Sequence, residues 1–140
     1  MEAMMSKIAL TPNASGTGTI TLAAPNTNSD YTINLPSNSI DTLTDGATIT
    51  PDLSTNTNFT VTLGGNRTME NPSNMAVGQS GSIFIVQDGT GSRTLSWGSY
   101  WDFINGTAPT LTTTASAVDR IDYIVRTATS IHTVFTANYS

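Results

Sequence analysis

The sequence predicts an all-β fold: an antiparallel β-sandwich or jelly roll preceded by a short N-terminal arm and a β-hairpin. Three observations lead there. Charged residues are only 11% of the 140-residue chain, well under the usual quarter, and Thr, Ser, Asn and Gly carry the polar load instead. Threonine suits strands because its branched Cβ fits a pleated surface, whereas helices favour Ala, Leu, Glu, Lys and Arg. Several segments alternate apolar and polar residues with period two, as in Asn58–Leu63, where Phe59, Val61 and Leu63 face away from Asn58, Thr60 and Thr62. Turn-forming clusters separate these segments every ten residues or so, the spacing of a sandwich or jelly roll.

The stretch Ser82–Trp101, SIFIVQDGTGSRTLSWGSYW, is the expected centre. Ile83–Val86 is apolar on both faces, as in a strand covered on both sides. Gln87–Ser92 carries turn chemistry, and Arg93–Trp97 alternates again. Strand, turn and strand with an Asp-Gly step read as a hairpin, since glycine accepts positive φ without steric cost.

Residues 1–10 read as a lead or arm, with Met1, Met4, Met5, Ile8 and Leu10 able to enter a partner's groove. Thr17–Leu22 presents Ile20 and Leu22 on one face, and Tyr31, Ile33 and Leu35 alternate with Thr32 and Asn34 before Pro36 ends the strand. This amphipathic hairpin is marginal alone, so Ile20, Leu22, Tyr31, Ile33 and Leu35 are interface candidates. Residues 1–44 are assigned to attachment or trimerisation, and residues 45–140 to the sandwich.

Within the second segment, Ser37–Asp45 is a connector, and Gly46–Thr50 a short strand with Ala47 and Ile49 inward. Arg67–Met69 begins another strand. Asp119–Thr127 places Ile121, Tyr123 and Val125 on one face, with Asp122, Ile124 and Arg126 on the other. Ile131–Ala137 returns with Ile131, Thr133 and Phe135 inward.

The net charge of −5 and the pI near 4.3, with Lys7, Arg67, Arg93, Arg120 and Arg126 scattered, speak against nucleic acid as a partner. Cysteine is absent, which excludes disulfides, Cys-based zinc sites and thiol nucleophiles. The N-terminus lacks a cationic segment followed by an apolar run, and no stretch reaches the roughly 18 apolar residues of a membrane span. Five Asn-x-Ser/Thr sequons, at Asn13, Asn58, Asn66, Asn105 and Asn138, follow from an Asn- and Thr-rich composition. His132 is the only histidine and sits one position off the apolar phase of the last strand, facing solvent or a neighbouring subunit. Asp119 and Asp122, three apart on a strand, point to opposite faces and form no paired-carboxylate site. Arg120, Asp122 and Arg126 suit cross-strand or intersubunit ion pairs. No catalytic residue, metal ligand or cofactor-binding motif is assigned. Trp97, Tyr100, Trp101 and Phe103 form the densest aromatic patch. They read first as structural, closing one end of the sandwich or an intersubunit seam; the alternative is sugar stacking by Trp97, Tyr100 and Trp101.

Residues 13–38, NASGTGTITLAAPNTNSDYTINLPSN, resemble a module of tailed-bacteriophage tail-fibre and other virion proteins. Residues 79–104 and 106–126 resemble domains that recur in phage structural proteins, found on fibres, tail tips and capsid surfaces. The resemblance implies a trimeric, non-enzymatic β protein of the virion, made in the host bacterial cytoplasm. Because the chain is short, begins with Met and has no long repeat, the leading expectation is a capsid decoration (cement) protein. Its partners are then itself, as a homotrimer, and the major capsid protein or another virion protein, with no nucleic acid, membrane or cofactor. The alternative is a tail-fibre or tail-tip module that binds a host-surface receptor or glycan.

Overall fold

The computed structural model describes residues 39–139. The arm, the hairpin and its interface candidates Ile20, Leu22, Tyr31, Ile33 and Leu35 lie outside them. The described chain is almost wholly β, as the composition predicts. Its strands are β1 (Asp41–Thr42), β2 (Thr48–Ile49), β3 (Asn58–Leu63), β4 (Arg67–Met69), β5 (Ser80–Gln87), β6 (Leu95–Trp97), β7 (Trp101–Asp102), β8 (Val118–Thr127) and β9 (Ser130–Tyr139), with one 3₁₀ turn at Ile104–Gly106.

The strands form a six-stranded sheet ordered β1-β3-β5-β8-β9-β7 and a three-stranded sheet ordered β2-β4-β6. From β1 to β6 the chain alternates between the sheets, and each new strand pairs in parallel with the strand one turn earlier. Asp41 lies opposite Phe59, and Phe59 opposite Ile83; Ile49 lies opposite Met69, and Met69 opposite Trp97. This is the winding of a short β-solenoid. β8 then runs antiparallel to β5 and β9 antiparallel to β8, while β7 pairs in parallel with β9. The sandwich-like pair of sheets is therefore mixed in direction and does not follow the antiparallel wiring of a jelly roll. Period-two alternation reports which face is inward and is the same for either strand direction, so it could not reveal the winding.

All the predicted inward residues except Ala47 pack. Phe59, Val61, Leu63, Ile83, Ile85, Ile121, Tyr123, Val125 and Ile131 of the large sheet share one buried cluster with Ile49, Met69 and Leu95 of the small one. Burying such side chains contributes about 1.5–3 kcal/mol each before entropy is counted. Gly81 sits where a Cβ would collide with the Thr57 carbonyl, and this close approach lets the Tyr123 hydroxyl donate to Thr57 O at 2.8 Å. Burial pushes the Tyr123 phenol up to about 12.

Three local expectations are corrected. β5 and β6 both form, but they belong to different sheets and are not a hairpin. The residues between them make a corner: the Gln87 side chain donates to Arg93 O at 3.0 Å and accepts from Arg93 N–H at 2.8 Å, doing locally what a paired strand would do. Asp88 accepts from the N–H groups of Thr90 and Gly91, each at 2.9 Å. The Ser37–Asp45 connector contains β1, whose pairing with β3 adds Asp41–Thr42 to the large sheet. Ala47 is exposed; its carbonyl accepts from Thr68 N–H, and Ile49 alone turns inward in that segment.

Candidate recognition groove

The outer face of β8 and β9 departs from a simple polar-out pattern. Ile124, Val134 and Ile104 are 49%, 53% and 69% exposed. The pairing register brings them together. Across β7, β9 and β8 one row reads Asp102, His132, Ile124. The next reads Val134 on β9, Asp122 on β8 and Ser82 on β5. After β7 the chain turns through Ile104–Gly106, where Asn105 adopts a left-handed conformation with φ 60°, and Ile104 stands beside these rows. Asp102, Ile104, Asp122, Ile124, His132 and Val134 line a groove of about 560 Å³, with Phe103 at its side.

The polar groups of the groove are held in place. Asp122 Oδ1 accepts from Ser82 Oγ at 2.6 Å, and Oδ2 accepts from Arg120 Nε at 3.1 Å and from a terminal guanidinium nitrogen at 2.9 Å. Arg120 lies with its guanidinium carbon 5.0 Å from the Tyr139 ring centroid, a cation–π distance. Asp102 Oδ2 accepts from Ser130 Oγ at 2.5 Å, and Asp102 O accepts from Thr133 Oγ1 at 2.9 Å. His132 is exposed. The Arg120–Asp122 pair falls within β8 instead of crossing between strands as expected; Asp119 turns inward, away from Asp122, as the spacing predicts. Among the described residues no group of three or more His, Asp or Glu side chains is arranged to hold a metal.

Of the aromatic patch, Phe103 lines the side of the groove, and Trp97, Tyr100 and Trp101 lie outside it. Trp101 is only 6% exposed, and its indole N–H donates to Glu70 O at 3.0 Å. Trp97 meets its ring edge-on at 5.5 Å and Phe103 at 5.0 Å, and Tyr123 meets Trp101 at 6.3 Å. Trp97 and Tyr100 are half-buried against the same core. Enclosed between Trp97 and Tyr123, Trp101 offers no open ring face on which a sugar could stack.

Sequence reasoning did not single out Asp102, Ile104, Ile124 or Val134. A signal for two of them was present. Ile124 and Val134 fall on the polar phase of two successive strands that pair as a hairpin, so their out-of-phase apolar side chains must share one outer face.

No curated protein and no solved structure matches the chain. Residues 49–130 match the family described as "Putative phage tail fibre C-terminal domain", a span that holds β3–β8 and the groove residues from Asp102 to Ile124. This match covers more than half of the 140 residues and agrees with the virion resemblance read from the sequence. The chain belongs to the phage tail fibre C-terminal domain family and is a structural protein of the phage particle.

Proposed function

We propose that the chain is the host-contacting module of a tail fibre, a binding protein without chemistry of its own. The family match over residues 49–130 carries this reading and favours the fibre over the capsid decoration role that chain length suggested. The outer groove supports it, because a contiguous exposed apolar surface with placed polar groups is what a recognition site requires. The module acts as a homotrimer joined through its N-terminal segment, where the alternation of Ile20, Leu22, Tyr31, Ile33 and Leu35 in the sequence predicts an apolar face. Three copies would multiply a weak contact through effective concentration. Sedimentation of the purified chain tests that stoichiometry: three times the 14.7 kDa chain mass is expected, and a monomer at micromolar concentration contradicts it.

The functional test is competition. Host cells incubated with excess purified chain should adsorb the phage at least several-fold more slowly. Adsorption unchanged at saturating protein would overturn the host-contact reading.

A further inference from the structure

Resting on that reading, we propose that the groove of β7–β9 binds an uncharged sugar residue carrying an acetamido group. Its volume of about 560 Å³ falls inside the roughly 300–1,000 Å³ of small-molecule sites. Three kinds of surface meet there, and an acetamido sugar matches each. Ile104, Ile124 and Val134 expose aliphatic carbon, which suits a methyl group and the C–H face of a pyranose ring. Asp102 and Asp122 are acceptors when ionised, and each carboxylate has about four lone-pair sites. Their protein partners, Ser130 on Asp102 and Ser82 and Arg120 on Asp122, orient them and leave acceptor capacity for sugar hydroxyls and the amide N–H. His132, opposite both Asp102 and Ile124 in the register, brings an imidazole N–H that can donate to the acetyl carbonyl.

Charge narrows the class further. A uronate, phosphate or sulfate would face the two carboxylates, and Arg120, the guanidinium alongside them, is already engaged by Asp122. A plain hexose leaves the aliphatic floor without a methyl partner. The preference is therefore for N-acetylated over both unsubstituted and acidic sugars.

Saturation-transfer NMR on the full chain tests this with the methyl glycosides of N-acetylglucosamine and N-acetylgalactosamine as probes, and glucose and glucuronate as controls. Transfer should be strongest to the acetyl methyl protons of at least one probe and at background for both controls. It should fall at least fivefold in Asp102→Asn and in Ile124→Asp. Both positions are exposed; if Ile124→Asp loses its β circular-dichroism signal, Asp102→Asn alone decides. Absence of transfer to either N-acetyl probe, equal transfer to glucuronate, or transfer unchanged in Asp102→Asn overturns the assignment. If the chain blocks adsorption yet fails this test, the sugar class is wrong and the host-contact reading stands. Sugar binding without any effect on adsorption leaves the site and removes the host-contact reading.

Discussion

At the scale of single residues, Asp119 does the most structural work for its size. It is 1% exposed. Its carboxylate accepts from Thr112 N–H and Thr112 Oγ1, both at 2.7 Å, and from Asn138 N–H at 2.9 Å. One side chain thus ties the loop before β8 and the end of β9 to the start of β8. Removing an acceptor leaves buried donors unsatisfied, which costs about 1–3 kcal/mol each when no water replaces it. Asp119→Ala should lower unfolding stability by about 2–4 kcal/mol in urea titration; a change below about 0.5 kcal/mol would mean that water takes over the role. That Asp119 turns inward was legible, because period two puts it with Ile121 and Tyr123. Its partners were not, since Thr112 and Asn138 arrive from a loop and a returning strand whose positions depend on tertiary packing. The groove shows the same divide. Ile124 and Val134 were visible as out-of-phase residues, while Ile104 and Asp102 reach the groove only because β7 pairs with β9.

At the scale of elements, the corners between the two sheets are built from ion pairs. Arg93 binds Asp88 Oδ2 through Nε at 3.0 Å and a terminal nitrogen at 2.7 Å. Arg67 binds both oxygens of Asp45, at 2.8 and 2.7 Å. The Arg93 guanidinium, helped by the N–H groups of Gly91 and Thr90, holds the Asp88 carboxyl down at about 2 against an ordinary 3.8. Arg67 lowers Asp45 in the same direction. Because the folded-state values lie below the unfolded ones, the contribution of these corners is complete above about pH 4 and is lost as pH falls towards 2. The thermal midpoint should drop between pH 5 and pH 2.5, and the drop should be shallower in Asp88→Asn. Equal slopes for the two proteins would show that the corner pair adds nothing measurable, as exposed pairs often do. The Asp-Gly step looked like a hairpin turn because turn chemistry reports a reversal of direction. Whether the chain returns beside its own strand or crosses to a second sheet depends on the strand waiting there, and β4 is what receives β6.

At the scale of the whole molecule, the described residues wind six short strands in parallel and close them with an antiparallel pair, which carries Ile124 and Val134 of the exposed apolar face. The all-β class and the inward residues followed from composition and alternation. The winding did not, because its strands are two to eight residues long and pair with neighbours a full turn away. Function was legible only at the level of the virion, through resemblance, and the family match favours the fibre over the head. Gold-labelled antibody against the chain, viewed on intact particles by electron microscopy, tests that placement most directly. Label confined to the tail fibres is the result predicted here. Label spread over the head would contradict it and restore the decoration role.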